Sequence, residues 1–180
     1  HISEDIPVGM GAAARRILRA AQPFMPGKWP APEKGWDYGS EVPFEIGPFT
    51  ITPYLVDHSA YDAYALLIEA EETRLFYSGD FRAHGRKGKL FDRMIANSPQ
   101  NIDIMLLEGS SLGRLDDDKQ FPTESDIEAR FEKAFRDATG LAMVHCSSQN
   151  IDRVVSAMRA SKRTGRKLVI DLYTAIILEE

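Results

Sequence analysis

At 180 residues, with 43% apolar and 27% charged side chains, the chain has the size and composition of a folded, water-soluble protein with one good core or two small ones. Its net charge of −5 and pI near 5.4 exclude a uniformly basic polyanion-binding surface and leave a local basic patch open. A single cysteine, Cys146, excludes an intrachain disulfide, and no apolar run approaches the ~20 residues that span a bilayer, so a reducing cytoplasm is the expected setting.

In chain order, Ile6–Met10 (IPVGM) reads as a short apolar strand and Gly11–Ala21 (GAAARRILRAA) as an alanine-rich helix, with Ile17 and Leu18 among its inward positions. The stretch from Pro23 to Pro43 is rich in proline and glycine and reads as irregular surface chain, with Trp29 and Trp36 as pins holding it down or, alternatively, as a substrate-facing lip. Phe44–Ile46 and Phe49–Val56 form an expected hairpin through Gly47-Pro48, with Pro53 suggesting an edge or bulge. Ala65–Glu71 and Thr73–Ser78 follow as two strands around a polar turn, then Leu90–Asn97 as a short amphipathic helix and Ile102–Leu107 as a buried-type strand. From Phe121 the texture changes. Thr123 with Asp126 predicts a capping-box-like helix start, with Ile127, Phe131, Ala134 and Phe135 at helical spacing and Gly140 as the stop. Leu141–His145, Ser148–Arg163 and Lys167–Leu172 then read as strand, helix and strand, a parallel βαβ unit.

The two ends suggest a piece of a longer protein. HISEDIPVG carries neither a basic leader nor an apolar signal core and enters in mid-fold, and LYTAIILEE stops inside a new helix.

Chemistry concentrates between Val56 and Lys87. His58 follows one apolar strand and Asp80 follows another, so each stands where a rigid element hands over to a loop. Two loops on one sheet edge can bring an imidazole and a carboxylate to one metal, and Zn²⁺ or Mn²⁺ accepts both. Taken singly, His58 reads first as a loop or strand-end histidine with an ordinary hydrogen bond, and Asp80 equally as a turn residue after Gly79.

DHSAYDAYALLIE followed by YSGDFRAHGRK resembles the ribonuclease J-like, β-CASP branch of metallo-β-lactamase-fold nucleases. The resemblance implies an α/β protein: residues 1–120 as part of a metallo-β-lactamase αββα sandwich, and residues 121–180 as the beginning of a Rossmann-like β-CASP domain. It implies His58 as a ligand of one metal and Asp80 as the carboxylate bridging two, with two Zn²⁺ ions expected and Mn²⁺ as the alternative. Glu108, which closes the Ile102–Leu107 strand, matches the family's acidic residue that orients a histidine supplied later in the chain. The turn Ser147-Ser148-Gln149-Asn150 matches the family's phosphate seat, where backbone N–H groups and the positive end of a helix face the strand's carboxyl edge. Without the resemblance, Ser147 or Ser148 is simply a helix N-cap, His145 packs at a strand end, and Cys146 is a buried small residue. Arg82, His84 and Arg86, in the loop after Asp80, are placed to touch a substrate phosphate, with a structural His84 as the alternative, and the basic helix from Arg153 to Lys167 is either a solvated helix face or a surface that could meet a phosphate backbone.

The family's His-x-His-x-Asp-His cluster is absent, since the histidines are His1, His58, His84 and His145. In the family it stands shortly before a segment like HISEDIPVGMG. The resemblance thus covers nearly all of this chain but part of the family's length, and the 180 residues alone are expected to be catalytically silent. The function implied is metal-assisted phosphodiester hydrolysis, with RNA as substrate and DNA as the alternative, in a membrane-free protein for which self-association would cover interrupted sheets. A small thioester or lactone hydrolase of the same fold, and a non-catalytic scaffold subunit, are the competing readings.

Overall fold

Short apolar runs build the central sheet, with burial alternating along β5. The computed structural model describes residues 5–26, 31–110, 113–114 and 120–180. Strands β3 (Phe44–Ile46), β4 (Phe49–Leu55), β5 (Tyr64–Ala70), β6 (Thr73–Tyr77) and β7 (Ile104–Leu106) form a five-stranded sheet in that order. The first four strands are antiparallel neighbours, and β7 joins β6 in parallel. Along β5 the residues facing inward are Ala65 and Leu67. Leu67 pairs with Phe76 of β6, and these side chains with Val56 make the buried core. Met94 of helix α2 (Lys89–Ala96), with Tyr54, Phe81 and Ile102, packs against that core.

Pro53 stands inside β4 and is fully buried. The Pro53 carbonyl accepts a hydrogen bond from the Glu41 N–H at 2.7 Å, beyond the last β3–β4 pair. The missing N–H therefore points away from β5, where no ladder bond is lost.

A second, two-stranded sheet pairs β1 (Met10–Gly11) with β2 (Asp37–Tyr38) in parallel. The strand expected over Ile6–Met10 thus shrinks to its last residue and Gly11. Helix α1 (Ala12–Ala21) follows as expected. Arg15 fixes the irregular stretch over it, through Asp37 at 2.6 Å and the carbonyls of Val8, Pro32 and Trp36. Trp36 packs edge-on against Phe44, as a pin should, while Trp29 lies outside the described residues.

Helix α3 (Glu124–Asp137) begins with the full capping box between Thr123 and Asp126, then packs on α4 (Ile151–Arg163). It ends before Gly140, at Ala138, because Arg166 reaches back to the carbonyls of Phe135, Ala138 and Gly140 and satisfies the helix end. The final helix α5 (Leu172–Glu179) returns to pack on α1, with Phe24 against the Tyr173 ring.

The expected parallel βαβ unit does not form among the described residues. Residues 141–147 and 166–170 run without strand pairing among the described residues, and α4 starts at Ile151 rather than Ser148. Leu141, Met143 and Val169 are almost fully exposed, and a cleft of about 400 Å³ separates the two segments from Phe135, Val154 and Ala157. A parallel pair is stable when both faces are covered, and the exposure of Leu141, Met143 and Val169 leaves one face of these segments open among the described residues. The strand Ile104–Leu106 is likewise at the sheet's outer edge and exposed, not buried. The architecture is α/β with a mixed sheet.

Candidate functional site

Sheet register decides what the loops can share. Leu55 of β4 pairs with Tyr64, Leu66 of β5 pairs with Tyr77, and Tyr77 of β6 pairs with Leu106. The carboxyl ends of β4, β6 and β7 therefore meet at one edge, and they deliver His58, Asp80 and Glu108 respectively.

His58 is half-buried, and its Nδ1 accepts a hydrogen bond from the Ala60 N–H at 3.1 Å. That bond leaves Nε2 as the nitrogen turned to other partners. Asp80 is exposed and has no hydrogen-bond or ion-pair partner among the described residues. It lines an open depression with Tyr77, Gly79, Met105, Leu106, Leu107 and Glu108. Gly79 takes φ +57° just before it, and a Cβ there would stand 2.8 Å from the Tyr64 carbonyl, so glycine is required to turn the chain at this point.

Glu108 ties the strand ends together. Its N–H donates to Ser78 Oγ at 2.9 Å, and its carboxylate accepts from the Phe81 N–H at 3.4 Å and from the Ser110 hydroxyl. The Ser110 hydrogen bond, helped by the Phe81 N–H and the charge of His58, holds its carboxyl below the usual range against a desolvation cost. Glu108 is thus an ionised carboxylate within electrostatic reach of His58 and beside Asp80.

Among the described residues no group of three or more His, Cys, Asp or Glu side chains comes together as a metal site. His58 and Asp80 have the right donor chemistry, but a pair falls short of the roughly four ligands zinc prefers. These residues alone do not make a metal centre.

The loop after Asp80 differs from its expectation. Arg82 and Arg86 do not face solvent: Arg82 Nη2 donates to Asp152 Oδ2 at 2.5 Å, and Arg86 donates to Glu128 and to Ser156 Oγ. Glu124 lies 3.9 Å from Arg82 and is also paired with Arg153 at 3.1 Å. Burial pushes the Glu124 carboxyl up, but hydrogen bonds from Arg153 and Ser156 outweigh it and hold it below the ordinary value. Both arginines bind helices α3 and α4 to the sheet rather than offering charge to a phosphate. His84 stacks on Phe121, and burial, with the charge of Arg82, lowers its pKa, so it is neutral near neutral pH.

At the other predicted phosphate seat, Asn150 is the N-cap of α4, its Oδ1 accepting from the Arg153 N–H at 3.2 Å. Ser148 Oγ is bonded to Thr174 Oγ1 at 2.7 Å, and Ser147 Oγ accepts from the Gln149 N–H at 3.3 Å. The local capping role is therefore filled by Asn150, not by either serine. His145 is exposed rather than packed, and burial raises the Cys146 thiol, as suits an unreactive side chain.

Four carboxylates with no site role in the sequence reading are buried here: Asp57, Glu124, Glu128 and Asp152. For the three on helices the signal is spacing. Glu124 and Glu128 stand one helical turn apart on α3, as do Asp152 and Ser156 on α4, so each helix presents a polar stripe to its neighbours.

The chain is similar to ribonuclease J of Helicobacter pylori (strain ATCC 700392 / 26695), 26% identical over 137 residues that cover 71% of this chain and 19% of that protein. It is also similar to ribonuclease J of Sinorhizobium meliloti, 24% identical over 168 residues, covering 92% of this chain and 29% of that protein. No family model matches the chain. Its fold is similar to the crystal structure of a protein of unknown function from Enterococcus faecalis V583, with a TM-score of 0.78 at 18% identity over 98% of this chain and 44% of that one. The chain spans less than a third of the length of these ribonuclease J relatives.

Proposed function

We propose that this chain is part of a metal-dependent phosphodiester hydrolase that processes RNA, with residues 1–120 as a partial metallo-β-lactamase unit and residues 121–180 as the start of a β-CASP unit. The observation that carries the reading is the single sheet edge to which β4, β6 and β7 bring His58, Asp80 and Glu108. Similarity to proteins named ribonuclease J supports RNA as the substrate class.

His58 Nε2 and the Asp80 carboxylate would contribute to a zinc or manganese site whose remaining ligands come from outside the described residues. When bound, such a metal supplies Lewis acidity toward the phosphate and a more acidic water. Glu108, ionised and held by Ser110 and Phe81, would orient an imidazole at the same edge. The Ser147–Asn150 turn would seat a phosphate through the positive end of α4. Arg82 and Arg86 take no part in this reading, because buried carboxylates already hold them. The 180 residues alone would be inactive, and a cytoplasmic location and self-association complete the proposal. No helix of the described residues is long and apolar enough to cross a membrane.

The test is hydrolysis of end-labelled single-stranded RNA by the intact protein, with added Mn²⁺ or Zn²⁺ and with chelator, beside Asp80→Ala. Metal-dependent cleavage that Asp80→Ala abolishes is expected. Equal cleavage in the variant removes Asp80 from the mechanism. No cleavage of RNA or DNA by the wild type favours the scaffold reading.

A further inference from the structure

The loops carrying His58 and Asp80 are joined by a junction made of their own neighbours. Asp57, immediately before His58, is buried with only 1% of its surface exposed. Its main-chain carbonyl accepts from the Arg82 N–H at 2.7 Å, and its Oδ2 accepts from the Gly85 N–H at 2.7 Å. Its Oδ1 lies 3.5 Å from Arg82 Nε, an ion pair without a hydrogen bond. From the far end of the same turn, Lys87 Nζ donates to the Tyr61 carbonyl at 2.6 Å and sits over the Tyr61 ring. A weaker Lys87 contact reaches the Ala60 carbonyl at 3.4 Å, and it is the Ala60 N–H that holds His58 Nδ1. Gly85 has no room for a side chain, since a Cβ would fall 2.2 Å from Asp57 Oδ1.

Burying a carboxylate is costly, and an apolar pair could join two loops without that cost. What the charge adds is direction: one side chain and one carbonyl fix two N–H groups of the neighbouring loop at once. We propose that Asp57 and Lys87 are positioning residues that set the separation of His58 from Asp80 by tying the loop of His58 to the two ends of the Arg82–Lys87 turn. Neither touches substrate. The catalytic consequence rests on the hydrolase reading above, whereas the joining of the loops does not.

The test uses the intact protein as wild type, Asp57→Asn, Lys87→Met and Lys87→Arg. Asp57 is buried and its variant can fail to fold; Lys87 is closer to the surface and keeps the question answerable. Amide hydrogen exchange is read on peptides covering 56–61 and 78–88, with α4 as the control. In Lys87→Met both loop peptides are expected to exchange at least about tenfold faster while α4 is unchanged, which separates local release from global unfolding. RNA hydrolysis is expected to lose about 10²-fold in kcat with KM changed less than about twofold, and Lys87→Arg to recover most of it. Unchanged exchange in either loop, or exchange rising equally in α4, overturns the proposal. If wild type cleaves no nucleic acid, the hydrolase reading fails, and the exchange arm alone decides the junction.

Discussion

Arg82 Nη2 donates to Asp152 Oδ2 at 2.5 Å, joining the loop after β6 to the first turn of α4 across seventy residues of chain. Asp152 also accepts from the Arg86 N–H at 3.0 Å, so one carboxylate anchors both ends of the turn. Removing one member of a buried pair strands the other without solvent. Arg82→Ala is therefore expected to cost about 3 kcal/mol in chemical denaturation of the intact protein. Asp152→Ala in the Arg82→Ala background should cost much less than it does alone, and a double-mutant cycle checks that coupling.

Asp80 is the opposite case. It is exposed and without a partner among the described residues, so Asp80→Ala should leave the denaturation midpoint within about 0.5 kcal/mol of wild type while abolishing RNA cleavage. A variant that unfolds early would place Asp80 in the structural framework instead.

Acid should loosen the helix–sheet junction. Burial raises the Glu124 and Glu128 carboxyls, but bonds from Arg153 and Ser156 to Glu124, and from Arg86 to Glu128, win, and both stay below the ordinary value. Carboxyls with lowered folded values stabilise fully above the unfolded value, about 4.3, and lose that stabilisation as pH falls through the folded value. Denaturation midpoints should hold from neutral pH down to about pH 5 and then fall, with Glu124→Gln flattening the decline.

The Thr123 cap offers a milder check. Its hydroxyl accepts from the Asp126 N–H at 3.1 Å, while its own N–H donates to Asp126 Oδ2 at 2.8 Å. Thr123→Ala should cost about 1 kcal/mol. The expected readout is faster amide exchange in the first turn of α3, with the sheet unaffected.

Much of this was legible in the residues because it is local. Apolar runs bounded by turn residues located β3 to β6, the Thr123–Asp126 pair located the start of α3, and strand ends located His58 and Asp80 at loops. What escaped depends on contacts between distant segments. The arginines after Asp80 looked like phosphate ligands because a sequence displays charge but not its partner, and the partners lie 42 to 70 residues away. The apolar runs 141–145 and 167–172 read as strands from propensity, yet a strand exists only where another pairs with it. Asp57 passed unnoticed beside His58 because one buried carboxylate has no periodic signature.

Strand β7 is one of the sheet's two edges, and Ile104, Met105 and Leu106 along it are all substantially exposed. Among the described residues no strand pairs with its other side, which leaves amide donors and acceptors unmatched beside oily side chains, with no proline or lysine in those three residues to discourage docking by another chain. Preparations of the 180-residue chain should therefore show concentration-dependent clumping in light scattering, and Met105→Lys, which sets a charge on that rim, should keep them clear.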